Sequence, residues 1–148
     1  MAKHLHVRIV TSEKVIVSDE YISATIPTVT GILTILAGHI PIVTPIKSGE
    51  IILKTETSHD TSLSISSGIL EIRPNFSIII LADRAERAEH IDLERAEVAK
   101  KRVEDLMKEK KHEVDVDYAK LQSMLGKEIS RINVARRYRR SKKTFLTK

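Results

Sequence analysis

The chain has 148 residues, 41% hydrophobic and 30% charged, which suits one ordinary domain or a small domain with an appendage. It contains no cysteine, which excludes a disulfide framework and any thiolate metal site. Residues 136–148 hold seven Lys and Arg and no acid, so the net charge of +5 belongs to the end of the chain and says little about its body.

Before that end, the charges nearly cancel: residues 1–84 carry seven basic and eight acidic side chains, and residues 85–135 carry eleven and twelve. Aromatics make up only 3% and Trp is absent, so the core is expected to be aliphatic. No apolar run approaches the roughly 20 residues of a membrane span, and Met1 leads into polar residues with no apolar signal core. Any tie to a membrane is therefore expected to pass through a partner.

Leu5, Val7 and Ile9 alternate with His4, His6 and Arg8, the period of a half-buried strand. Lys14 to Val17 predicts a second strand, Tyr21 to Ile26 a third that Pro27 stops, and Ile32 to Leu36 a fourth after a turn at Thr28 to Gly31. The stretch Ala37 to Gly49 holds two of the five glycines and two of the four prolines, with Ile40, Ile42, Val43 and Ile46 between them. Each proline lacks a backbone donor, so this stretch is expected to be a shaped apolar loop, neither a long helix nor a central strand. It would cross the top of the β-core or meet a partner. Glu50 to Glu56, Leu63 with Ile65, Ile69 to Ile72 and Phe76 to Leu81 complete the strands, with turns at Ser58 to Asp60 and at Pro74-Asn75. Short strands punctuated this way predict a β-sandwich or barrel.

At Asp83 the period changes. Ala96, Ala99, Val103 and Leu106 recur at three and four, one stripe of a helix that Asp92 is placed to cap. His112 to Val116 breaks the pattern, and Asp115 or Asp117 can cap a second helix bearing Tyr118, Leu121, Leu125, Ile129 and Ile132. Two amphipathic helices with a short link predict an antiparallel hairpin, and Gly126 inside the second costs it about 1 kcal/mol against Ala. The fold class is thus α+β: an N-terminal antiparallel β-sandwich over residues 1–84, a C-terminal antiparallel two-helix hairpin over 85–136, and a basic tail over 137–148. A hairpin this small buries little alone, so it is expected to pack on the sandwich or elsewhere, and to have more than one position.

Four blocks in this order resemble the epsilon subunit of the F-type ATP synthases, over about the first 136 residues. Gly38-His39-Ile40-Pro41, followed by Thr44, Ile46, Lys47 and Gly49, matches a family loop Gly-His-x-Pro with a trailing Lys-x-Gly. Ser67 to Ile72, Leu81-Ala82-Asp83 and Val114 to Tyr118 match its later strands and its interhelix link. The resemblance implies a subunit of the central stalk whose sandwich binds the gamma subunit and the c-ring, with Gly38, His39, Ile40 and Pro41 at that interface. It also implies a mobile hairpin that folds on the sandwich or extends along gamma into the head of alpha and beta subunits, where it restrains ATP hydrolysis. The subunit would be non-catalytic, coupling catalysis to rotation and proton transport, and would sit on the cytoplasmic face of a bacterial cell membrane. Departures are Thr34, Ala37 and Ile69, which replace a Gly, a Pro and a Gly of the family pattern, and Ile32, where an acid is common.

Ile91 to Ala96 matches a motif tied to ATP binding in some bacterial members. Arg95 and Arg102 are seven apart and share a helical face, as Lys127 and Arg131 do on the second helix. With Glu86 for the adenine amino group and Asp92 in the motif, these four cations are a candidate site for a regulatory ATP. The plainer reading is that Asp92 only caps the helix and the cations are a solvated face. No Gly-rich phosphate loop is present, so ATP would not be a substrate, and neither a metal nor another cofactor is expected. Arg136, Arg137, Arg139 and Arg140 would meet acidic residues of the head, or form a tail without a partner. His39 is either a titrating contact or a loop histidine satisfied by backbone.

A rival of another class is a small RNA-binding β-domain with a basic tail. Scarce aromatics for base stacking and a neutral body argue against it, and against any nucleic-acid partner. No nucleophile–base constellation speaks for an enzyme.

Overall fold

A computed structural model of the chain describes residues 3–57, 59–111 and 117–146. Ten strands precede two helices. The strands are β1 (Leu5–Val10), β2 (Val15–Tyr21), β3 (Ser23–Thr28), β4 (Gly31–Leu36), β5 (Ile42–Ile46), β6 (Gly49–Lys54), β7 (Thr61–Ile65), β8 (Gly68–Ile72), β9 (Ser77–Ala82) and β10 (Ala85–Arg87). A 3-10 turn (Ala88–His90) leads to α1 (Leu93–Glu109), and α2 spans Tyr118–Leu146.

Hydrogen bonding runs β10-β7-β6-β3-β5-β8-β9-β1-β2, with β4 on the far side of β3. Strand β3 is the corner: Ser23 to Thr25 pair with β6, while only Thr28 pairs with β5, at Ile46. The ribbon therefore turns into two layers, one of β10, β7, β6, β3 and β4, the other of β5, β8, β9, β1 and β2. All pairings are antiparallel except that of β1 with β9, the two strands farthest apart in the sequence that pair.

Between the layers lies an aliphatic core. Leu5, Val7 and Ile9 are buried from β1 while His6 and Arg8 are exposed, as the alternation requires. Ile26, Ile35, Ile51, Leu53, Leu63, Ile65, Leu70, Ile78 and Ile80 meet them, and Tyr21 is the one aromatic residue among the buried members of this core. Each such side chain contributes about 1.5–3 kcal/mol by leaving water.

Several boundaries differ from the sequence reading. Ile42 to Ile46, expected as loop, is an interior strand. Pro45 pairs with Ile69 of β8 and needs no donor on its other side, because β3 has already left it there; its carbonyl still accepts from Val29 N at 3.3 Å. Likewise β3 runs through Pro27, whose carbonyl accepts from Lys47 N at 3.0 Å. The sheet also continues past residue 84, since Ala85 to Arg87 pair with Ile65 to Leu63. Residues 137–146 are not a separate tail but the last turns of α2. Of the turn at Ser58 to Asp60 and the link at His112 to Val116, Ser58 and residues 112–116 lie outside the described residues.

Both helices are capped as their sequences ask: Arg95 N donates to Asp92 Oδ1 at 3.1 Å, and Lys120 N to Asp117 Oδ1 at 3.1 Å. In α1 the stripe holds, with Ala96 and Val103 buried. In α2, among the described residues, Ile132 is buried and Leu121 and Leu125 are half-buried, while Tyr118 and Ile129 stay exposed; Ser130, Val134 and Ala135 are buried as well. A second apolar cluster joins Ala88 and Ile91 to Val134 and Ala135, with Leu93 and Tyr138 packed against it. Burial in α2 is thus concentrated where the helix meets both α1 and the region around β10, and its first turns lack that second support.

Candidate functional site

Cross-strand register sets three side chains in a row on the outer face of the first layer. Glu50 of β6 lies opposite Ser64 of β7, which lies opposite Glu86 of β10. Partners in register point to the same face of a sheet, so the row reads acid, hydroxyl, acid. Helix α2 lays a matching set across it. Arg131 Nε donates to Glu86 Oε2 at 2.9 Å, Ser130 Oγ lies 3.1 Å from Ser64 Oγ, and Arg137 Nη1 donates to Glu50 Oε2 at 2.6 Å.

The hydroxyl pair has a direction. Ser130 Oγ donates to the Gly49 carbonyl at 2.8 Å, which uses its only proton, so Ser64 donates to Ser130. Both serines are buried. Arg131 is also held by Glu128, one turn earlier on the same helix, at 2.9 Å. Burial acts to lower the pKa of its guanidinium, but the hydrogen bonds and charges of Glu86 and Glu128 together outweigh this and raise it above its ordinary value. Ser62 adds a hydrogen bond to Glu50. Arg136 points the other way, to Glu97 of α1 at 2.7 Å, and ties the two helices together.

The other layer presents a different outer face. Register aligns Pro45 of β5, Ile69 of β8, Leu81 of β9, Val10 of β1 and Val15 of β2 in one row across five strands. Ile69, Leu81 and Val15 are about half exposed, at 51%, 56% and 47%. Neither helix lies on this row among the described residues. Gly68, which begins β8 beside it, permits a close approach: a Cβ there would stand 2.1 Å from the Leu81 carbonyl oxygen.

The loop Gly38 to Pro41 joins β4 to β5. Gly38 has φ +92°, which lets His39 N donate to the Leu36 carbonyl at 3.1 Å. His39 Nδ1–H donates to the Ile40 carbonyl at 2.7 Å, so its ring is engaged with backbone. Ile40 is thrust outward, 72% exposed.

The residues proposed for ATP are only partly brought together. Glu86 and Arg131 bond to each other, and Asp92 is occupied with the N-terminus of α1. Arg95 and Arg102 are exposed on α1, and their side chains make no hydrogen bond or ion pair among the described residues. Lys127 lies one turn before Arg131, half-buried. Of the four arginines proposed for a head contact, Arg136 and Arg137 are paired internally, while Arg139 and Arg140 are exposed.

Two domain families match end to end. Residues 4–88 match the beta-sandwich domain of the ATP synthase delta/epsilon chain, and residues 89–136 its long alpha-helix domain. The chain belongs to the ATP synthase delta/epsilon chain family. Among similar members, the ATP synthase epsilon chain of Desulforamulus reducens is 40% identical over 135 residues, covering 91% of this chain and 99% of that protein. That of Dehalococcoides mccartyi is 39% identical over 140 residues, covering 95% and 97%. Among solved structures, a chain of the Euglena gracilis mitochondrial ATP synthase, in an assembly of OSCP, F1 and c-ring, shares the fold with a TM-score of 0.69 at 20% identity, covering 89% of this chain and 80% of that one. A chain of the Tetrahymena thermophila mitochondrial ATP synthase central stalk and c-ring does so with 0.56 at 12% identity, covering 92% and 96%.

Membership in this epsilon-chain family leaves the RNA-binding alternative without support, and part of the basic segment on which it leaned is spent on Glu50 and Glu97. Neither row is visible along the chain. The signal for the polar row exists only in pairings between strands far apart in sequence, and the apolar row uses outward positions that alternation assigns to water.

Proposed function

We propose that this chain is the non-catalytic epsilon subunit of a rotary ATP synthase, coupling catalysis to ring rotation and restraining ATP hydrolysis through its helical hairpin. The observation that carries this reading is the contrast in how its parts are held. A contiguous aliphatic core holds the sandwich, whereas a single polar row and a small apolar cluster hold α2 to it. An element docked that way can leave and return without unfolding its support.

The apolar row from Pro45 to Val15 suits a lasting contact with the gamma subunit, and the outward Ile40, on a turn stiffened by Gly38, His39 and Pro41, suits the junction of gamma with the c-ring. In the extended state Arg136, Arg137, Arg139 and Arg140 meet acidic faces of alpha and beta subunits. No helix among the described residues is long and apolar enough to cross a membrane. In this reading the chain therefore reaches the cytoplasmic face of the membrane through the complex.

Arg95 and Arg102, with unpartnered side chains among the described residues, also support a regulatory ATP. Arg131 and Lys127 would complete the site once Arg131 exchanges Glu86 for phosphate. Calorimetric titration of the full chain with ATP is expected to show saturable binding that Arg95→Ala abolishes; a flat titration at millimolar ATP rejects the nucleotide.

Locking tests the main reading. Ser64→Cys with Ser130→Cys introduces the only two cysteines of the chain, at positions whose side-chain oxygens are 3.1 Å apart. In the assembled complex, oxidation is expected to hold the hairpin down and relieve inhibition of ATP hydrolysis, and reduction to restore it. Equal hydrolysis in both redox states refutes a regulatory hairpin.

A further inference from the structure

The row on the sandwich and the set on α2 match in chemistry, and both are supplied by the protein alone. Each carboxylate meets a guanidinium, the serine meets a serine, and no buried side-chain polar atom among the described residues lacks a partner. The two ends differ in depth. Arg131 is 23% exposed against a Glu86 that is 35% exposed, while Arg137 is 70% exposed against a Glu50 that is only 16% exposed. Glu50 is therefore nearly desolvated and depends on the partners that reach it, namely Ser62 from the next strand and Arg137 from the helix. Arg137 lies one residue beyond the segment that matches the helical domain of the family, in the continuous helix that runs on to Leu146.

From this we infer that Glu50, Ser64 and Glu86 form a docking row that holds the hairpin in its folded position without any ligand, and that Arg137, from the C-terminal extension, is the outer arm of the latch. The inference rests on the reading that the hairpin moves, and adds which groups decide when it does. The inner arm, Arg131 between Glu86 and Glu128, orients the helix. Beyond it Ser130 fixes the register along the helix, because a slip of one residue would bury both hydroxyls unpaired. Removing Arg137 leaves Glu50 as a poorly solvated carboxylate with no cation, so the cost of releasing the helix falls.

The position of the hairpin can be read in the full chain by itself, without the rest of the complex. Spin labels at Lys54→Cys on β6 and Lys120→Cys on α2, both at exposed sites, report the sandwich-to-helix distance by pulsed dipolar spectroscopy. The labelled parent is expected to show one dominant short distance with no nucleotide present. Arg137→Glu, at an exposed position that cannot undermine the core, is expected to raise the released fraction about tenfold, in keeping with the loss of one charge-assisted hydrogen bond and the gain of a repulsion. Adding Glu50→Arg to it restores the pair in reverse and is expected to return the short distance. Glu86→Gln acts in the same direction as Arg137→Glu and checks the inner arm.

An unchanged distance distribution in Arg137→Glu and Glu86→Gln, or a parent that closes only when ATP is added, overturns the latch. Hydrolysis by the complex separates this from the wider reading. If Arg137→Glu frees the hairpin in the isolated chain yet leaves ATP hydrolysis of the assembled enzyme unaltered, the latch stands and the regulatory role falls.

Discussion

The two outer faces of the sandwich are built from the same kind of strand and end up opposite in character. One presents Glu50, Ser64 and Glu86 in a row and is covered by the chain's own second helix. The other presents Pro45, Ile69, Leu81, Val10 and Val15 in a row and is covered by nothing the chain supplies among the described residues. A polar row gives geometry and direction at modest net energy, because each hydrogen bond replaces one with water. An apolar row gives energy with little direction, in proportion to the area removed from water. The self-contact thus has the chemistry of something reversible, and the bare face that of something kept.

The comparison can be broken most sharply at the bare face. Ile69→Asp puts a carboxylate in the middle of the apolar row, at a position about half exposed in the free chain. We expect the stability of the isolated chain to be nearly unchanged. Affinity for the gamma subunit is expected to drop by about 3–5 kcal/mol, the cost of an unpaired buried charge. A binding assay showing wild-type affinity would remove this face from the interface.

A smaller effect is expected at the polar face. Arg131→Met keeps most of the apolar length but leaves Glu86 and Glu128 without their cation, and should weaken docking of α2 by about 2 kcal/mol. Amide exchange would show this as faster exchange along β7 and β10, with no change along β8 and β9. Uniform loss of protection across both layers would mean that α2 supports the whole sandwich.

Next comes Asp92→Ala, which removes the cap from Arg95 N and should cost the first turn of α1 about 1 kcal/mol. Circular dichroism of the full chain would register lower helicity with no shift in the sheet signal; an unchanged spectrum would mean that tertiary contacts at Ile91 and Ala96 already hold that turn. Salt should have the smallest effect. Raising ionic strength from about 0.05 to about 0.5 M is expected to weaken the outer Arg137–Glu50 arm by less than about 1 kcal/mol and to leave the gamma contact proposed for the apolar row unmoved. A strong loss of gamma binding in salt would reverse the assignment of the two faces.

Much of this was readable from the chain. Strict alternation at Leu5, Val7 and Ile9 identified β1 and its buried side, the spacing of Ala96, Ala99, Val103 and Leu106 identified α1, and Asp92 and Asp117 act as the caps their positions suggest. Those features depend on neighbours within a turn or a strand, so local sequence suffices. What local sequence misjudged were the prolines. Pro45 reads as a strand breaker, yet it sits in β5 because β3 diverges from it and no donor is required on that side. The short β10 carries no period of its own and exists because β7 offers it an edge.

The amino-acid sequence by itself determined an aliphatic sandwich, a following helical hairpin and a basic end, because patterning of apolar residues and charge is written residue by residue. Only the tertiary structure decided which face of α2 is buried, that residues 137–146 continue that helix, and that Glu50, Ser64 and Glu86 stand in one row to receive Arg137, Ser130 and Arg131. Register between strands and the seating of a helix on a sheet depend on atoms distant in sequence, and no single stretch of chain encodes them.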